Sequence, residues 1–145
     1  MKAVLQRVAH SSVSIEGQMI SSIGKGLLIL LGIEREDGIE KAQALSKKIV
    51  HLRIFEDAQE KMNLSVLDIQ GEVLVISQFT LMADAQKGNR PSFVKAAPPE
   101  IAKPLIEEFC RNLHGYGLTV KQGVFGAHMA VDLLNDGPVT IWLEN

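Results

Sequence analysis

The sequence predicts a single α+β domain, with a mostly antiparallel sheet that curls toward a barrel and two main helices. Three observations carry this. The chain has 145 residues, 46% of them hydrophobic and 22% charged, which suits one packed core. Short apolar segments, continuous or alternating, recur along it and are separated by Gly, Asn and Pro. Only two stretches place apolar residues at helical spacing. No repeat, linker or low-complexity tract divides residues 1–145.

The elements follow in order. Ala3–Val8 reads as a strand, and Ser11–Ile15 and Met19–Ile23 as a hairpin around the Glu16-Gly17 turn. Leu27–Ile33, an unbroken apolar run, predicts a strand covered on both faces. Asp37 with Glu40 resembles a capping box. Ile39, Ala42, Leu45, Ile49 and Leu52 then follow at helical spacing, opposite Lys41, Lys47 and Lys48. Another strand can begin at His51–Phe55, and polar Asp57–Asn63 reads as a loop. Gln70-Gly71 turns the chain into a strong strand, Glu72–Phe79. Met82–Lys95 shows no period and reads as a long functional loop. Pro98-Pro99 opens a helix to about His114, with Pro104 expected to offset or kink its first turns. Leu118–Phe125 and His128–Leu134 read as strands, Asn135–Pro138 as a tight turn, and Val139–Leu143 as the last strand.

Composition sets the outer limits. Cys110 is the only cysteine, which excludes an internal disulfide and fits a reducing compartment. Arg7 and His10 stand where an export signal needs an apolar run, so a cytoplasmic location is expected. The longest apolar run, Leu27–Leu31, is far short of the ~20 residues that span a bilayer, so no membrane partner is expected. The net charge of −2 argues mildly against a dedicated nucleic-acid binder. There is no Cys/His metal spacing, and Gly24-Lys25-Gly26 lacks a phosphate-loop pattern. No carboxylate pair has helical spacing in an apolar setting.

Two motifs stand out. Ser77–Leu81 reads SQFTL, and Asn135–Thr140 reads NDGPVT. With the opening MKAVLQRV, the loop KGNRPSF and FGAHM at Phe125–Met129, they occur in the order and spacing of the D-aminoacyl-tRNA deacylases (D-tyrosyl-tRNA deacylases), which the chain resembles over its whole length. The resemblance implies hydrolysis of the ester between a D-amino acid, or mischarged glycine, and tRNA. It implies a homodimer with a barrel-like β fold that uses neither metal nor organic cofactor, and no DNA partner. It also implies an active site at the subunit interface, where a cis Gly137-Pro138 enters the partner's pocket and sets chirality. The 2′-hydroxyl of the terminal adenosine is implicated in activating the attack.

The residues offer matching chemistry. Ser77, Gln78, Phe79 and Thr80 are the catalytic candidates. If the strand ends there, the N–H groups of Phe79 and Thr80 lose ladder partners and can hold an oxyanion, each worth a few kcal/mol in the transition state. As strand residues, Gln78 and Thr80 would share one face. A nucleophilic Thr80 would need a base, yet His10, His51, His114 and His128 are placed by no motif, so Thr80 is read as positioning. The carbonyls of Gly137 and Pro138 can accept from the substrate ammonium and crowd one side of its α-carbon. Arg7 can brace the partner's Gly-Pro loop, against the alternative of a snorkelling edge arginine. Met129 supplies a flexible apolar wall or plain core. Lys87, Arg90 and Lys95 are candidates for tRNA phosphates. Two other functions stay open: an RNA- or nucleotide-binding module, and a threonine-dependent esterase on small D-amino-acid derivatives.

Overall fold

The computed structural model describes residues 1–145. Its spine is β1 (Lys2–Ile15), one continuous strand where the sequence suggested two. Polar residues near its middle do not interrupt it. Ser11 is buried, and its hydroxyl donates to the Asp132 carbonyl at 2.7 Å. The first half of β1 pairs antiparallel with β3 (Gly26–Gly32), the second half with β2 (Gln18–Ile23). Parallel to β3 runs β6 (Glu72–Ser77), and parallel to β6 runs β7 (Thr119–Gln122). Ser21 on β2 donates to the Gln122 carbonyl on β7 at 2.8 Å, so the path β2-β1-β3-β6-β7 curls until its ends meet.

Two-residue alternation divides the core. On β3 and β6, Leu27, Ile29, Leu31, Val73 and Val75 pack outward against α1 (Ile39–Val50) and α2 (Pro99–Gly115). Leu28, Leu74 and Ile76 pack inward with Val8, Val13 and Ile23. This two-sided burial is what the LLILL run predicted. Gly26 lets β3 start against β6, since a Cβ there would sit 1.8 Å from the Glu72 carbonyl oxygen.

Several elements depart from the sequence reading. The strand expected over His51–Phe55 is only β4 (Phe55–Glu56), and it forms a small hairpin with β5 (Met62–Leu64), which takes in the end of the expected 57–63 loop. The capping box does not form. Gly38 is the N-cap of α1, without a side-chain cap. Asp37 instead takes the Met1 ammonium at 2.8 Å and Lys41 at 2.9 Å, and accepts from the Glu34 N–H at 2.6 Å. Pro104 lies inside an unbroken α2. β6 stops at Ser77, and the 119–122 strand is shorter than expected. The largest departure is at the C-terminus. β8 (Ala130–Glu144) is a single strand beside β1, and Asn135–Pro138 is an excursion within it, not a turn between two strands.

Candidate active site

The SQFTL segment leaves the sheet as β6 ends. Gln78 N–H still reaches the Leu31 carbonyl at 2.8 Å, the last bond of the ladder. Phe79–Met82 then winds into a 3-10 turn closed by Leu81 N–H to Gln78 O (3.2 Å) and Ala83 N–H to Thr80 O (3.1 Å). Gln78 and Thr80 therefore do not share a strand face. Phe79 and Thr80 lead the turn, where a helix offers their N–H groups no internal acceptor. Both residues are exposed. Gln78 Nε2 donates to Thr80 Oγ1 at 2.5 Å, so the threonine hydroxyl is positioned by an amide and hydrogen-bonds no histidine.

Beside this turn opens a cavity of ≈ 460 Å³ at the C-terminal ends of parallel β3 and β6. Leu31, Ile76, Ser77, Gln78 and Phe79 form one side. Ala96, Ala97, Pro99, Ala102 and Ile106 form another, and Phe125–Met129 closes it. Small side chains at the start of α2 keep the space open. Gly123 lets Met129 lie against β6, because a Cβ there would fall 2.5 Å from its sulfur and 2.9 Å from Ile76 Cδ1. The site is thus an apolar pocket with Phe79 in its wall, and the turn that Phe79 and Thr80 lead runs beside it. No three His, Cys, Asp or Glu side chains converge anywhere to hold a metal ion.

Gly137 and Pro138 lie apart from this pocket. Their peptide bond is cis. They project from β8 where Gln6 pairs with Thr140 but Val8 pairs with Asn135, so two steps on β1 span five on β8. Ser77 sits at the level of Leu31 and Ala3, and the bulge at that of Arg7, four residues further along β1. At ~3.3 Å per residue that is about 13 Å along the strand alone. Arg7 is buried, which corrects the alternative of a snorkelling edge side chain, and it braces its own chain's bulge. Its Nε donates to the Asp136 carbonyl at 2.9 Å and its Nη1 to the Ile54 carbonyl at 2.8 Å. Its Nη2 approaches Glu56 at 3.5 Å.

The basic residues are exposed. Lys87 and Arg90 stand at the tip of the 82–95 loop and Lys95 at its return. Arg35 pins that return through N–H to Lys95 O (3.2 Å) and Nε to Val94 O (2.8 Å). Phe93 sets its ring edge-on to Phe79 at 5.2 Å. Of the histidines, His10 and His114 are exposed, His51 bonds the Lys47 carbonyl, and His128 alone borders the pocket.

A family model for D-Tyr-tRNA(Tyr) deacylase matches residues 4–144. The chain belongs to this family. D-aminoacyl-tRNA deacylases from Bacteroides thetaiotaomicron and Thermomicrobium roseum are 59% and 54% identical to it over 145 residues. These matches cover 99% and 100% of this chain, and 97% and 94% of the relatives. A solved structure titled c-Myc DNA Unwinding Element Binding Protein superposes with a TM-score of 0.94 at 46% identity, covering 100% of this chain and 99% of that one. A probable eukaryotic D-amino acid tRNA deacylase shares the fold, with a TM-score of 0.84 at 16% identity over 98% and 97% of the two chains. As a member of the D-aminoacyl-tRNA deacylase family, the protein is a hydrolase whose motifs fall on the pocket mouth and on the β8 bulge. Sequence reasoning missed the pocket wall made by Ala97 and the start of α2, where Ala97, Pro99 and Ala102 carry no chemical signal. It also missed Asn135, although the Asn stands inside the second motif.

Proposed function

We propose that the protein hydrolyses D-aminoacyl-tRNA, taking the aminoacyl-adenosine end into the pocket bounded by Phe79, Ala102 and Met129. Water adds to the ester carbonyl, the oxyanion rests on the Phe79 and Thr80 N–H groups, and the C–O bond to the tRNA breaks. The leaving oxygen takes up a proton, giving free tRNA and the D-amino acid. The adjacent 2′-hydroxyl of the terminal adenosine assists the attack. Ser77, Gln78 and Thr80 position the turn, and Lys87, Arg90 and Lys95 take tRNA phosphates. The observation that carries this reading is the 3-10 turn led by Phe79 and Thr80 beside an apolar cavity that Phe79 lines, with the Thr80 hydroxyl bonded to Gln78 and not to a histidine.

In this reading two chains form the active unit, and Gly137-Pro138 enters the partner's pocket. Two features support it. Within one chain the bulge and the pocket are well separated. β8 has β1 as its only neighbour and leaves Leu134 and Trp142 exposed along a long free edge, which invites a second copy. Fixed backbone then excludes an L side chain and accepts the substrate ammonium. Glycine, with no side chain, passes the same filter. The reaction belongs in the cytoplasm, where charged tRNA is found.

The test compares three substrates: D-tyrosyl-tRNA, L-tyrosyl-tRNA and a free D-tyrosine ester. Selective loss of the first is expected. Equal loss of the free ester would favour a threonine-dependent esterase, and tRNA binding without turnover would favour a recognition module.

A further inference from the structure

The excursion carrying Gly137 and Pro138 is closed by one side chain. Asn135 Oδ1 accepts from the Val139 N–H at 2.8 Å, and its Nδ2 donates to the Val139 carbonyl and to Thr140 Oγ1, both at 3.2 Å. Gln6 Nε2 also donates to Thr140 Oγ1, at 3.3 Å. The carboxamide thus offers Val139 the donor and acceptor that a neighbouring strand's peptide would offer. β1 does not supply them, because its register jumps from Gln6 opposite Thr140 to Val8 opposite Asn135. Inside this closure Asp136 is held by Arg7, and Val139 is buried. Gly137 and Pro138 are left as the exposed crest, their backbone fixed from both sides.

We propose that Asn135 is a positioning residue that sets D-over-L specificity. It fixes the direction of the Gly137-Pro138 backbone without touching the substrate. This rests on the reading of that backbone as the chirality filter. A filter made of carbonyls discriminates only while it cannot swing. Loss of the carboxamide leaves both polar groups of Val139 unpaired at the base of the loop, and an unpaired buried donor is costly enough to drive rearrangement. An L side chain can then be admitted, and the ammonium of the D substrate loses its acceptors.

The experiment measures kcat/KM for D- and L-tyrosyl-tRNA in the dimeric protein. The variants are Asn135→Ala, Asn135→Asp and Thr140→Val, with Gly137→Ala as reference. In that reference the new Cβ meets Val139 Cγ2 at 2.8 Å and Arg7 Nη2 at 3.0 Å, so the crest itself must move. The D/L ratio is the readout, since a simple loss of folded protein lowers both rates together. It is expected to fall ten-fold or more in Asn135→Ala, about ten-fold being the scale of any one of the three hydrogen bonds lost. A smaller fall is expected in Asn135→Asp, which keeps the acceptor and loses the donors, and the smallest in Thr140→Val. If Gly137→Ala lowers the ratio while Asn135→Ala leaves it unchanged, the role of Asn135 is overturned and the filter stands. If neither changes it, both readings fall. Should Asn135→Ala not fold, the near-isosteric Asn135→Asp decides: a lowered ratio supports the inference and an unchanged one overturns it.

Discussion

Gly32→Ala probes whether the 3-10 turn must sit where it does. Gly32 ends β3 directly beneath that turn. A Cβ there would lie 2.7 Å from Met82 Cε, 3.0 Å from the Gln78 carbonyl oxygen and 3.1 Å from Leu81 Cβ. Met82 Cε ends a flexible side chain and can swing away. The Gln78 peptide cannot move alone, because its N–H is bonded to Leu31 and its oxygen receives the Leu81 N–H. Ordinary contact starts at 3.4 Å, so the turn must lift by about 0.4 Å, carrying the Phe79 and Thr80 donors with it. A misplacement of ~1 Å can cost ~100-fold in rate. A lift of about 0.4 Å is therefore expected to lower kcat roughly five- to ten-fold. Overpacking of this kind costs about 1–3 kcal/mol, which for a domain of this size lowers Tm by roughly 2–4 °C per kcal/mol. Single-turnover deacylation of D-tyrosyl-tRNA, run well below the variant's Tm, separates the two effects. A lowered Tm with kcat unchanged would refute the argument, because the turn would have moved without consequence for the chemistry.

Three further outcomes follow from the same structure. Burial pushes the Asp37 carboxyl up, but hydrogen bonds from the Met1 ammonium, Lys41 and the Glu34 N–H outweigh it and hold the group below 3.8. Its stabilising contribution is therefore complete above the ordinary carboxylate range and fades as pH falls below about 4. Asp37→Asn is expected to cost about 3 kcal/mol near neutrality, with the gap to the parent narrowing in acid melts; a constant gap would contradict this. Burial pushes the Cys110 thiol up to about 12, with the Glu107 charge adding to it. The native protein should resist a disulfide reagent at pH 8 until it is unfolded, and rapid stoichiometric labelling would show that the α2 core opens. Lys87→Ala combined with Arg90→Ala should raise KM for D-aminoacyl-tRNA and flatten its salt dependence at constant D/L ratio. An unchanged salt slope would place the phosphate contacts elsewhere.

Much of the fold is legible where pattern and packing agree. The LLILL run is covered on both faces, and Ala42, Leu45 and Ile49 mark the buried stripe of α1. What the sequence hides are long-range bonds that overrule local signals. Asp37 reads as a helix cap until an ammonium 36 residues away claims it. Asn135–Pro138 reads as a chain reversal, because Gly-Pro usually turns. The strand continues because the Asn135 carboxamide and Arg7 replace the missing ladder bonds. Alternation through SQF suggests two more strand residues, yet the glycine at position 32 leaves room for a turn to fold down instead. Both motifs were visible as motifs. The pocket wall from Ala97 to Ile106 was not, because apolar residues at the start of a helix look the same whether they face a core or a cavity.

The central claim is that the Phe79 and Thr80 N–H groups carry the charge of the reaction. Replacing one amide by a backbone ester deletes a single N–H and keeps every side chain. With the ester at position 79 or 80, kcat for D-tyrosyl-tRNA is expected to fall ~100- to 1,000-fold, as for loss of one oxyanion donor, with little change in KM. An unaltered kcat in both ester variants, each folded like the parent, would contradict the account.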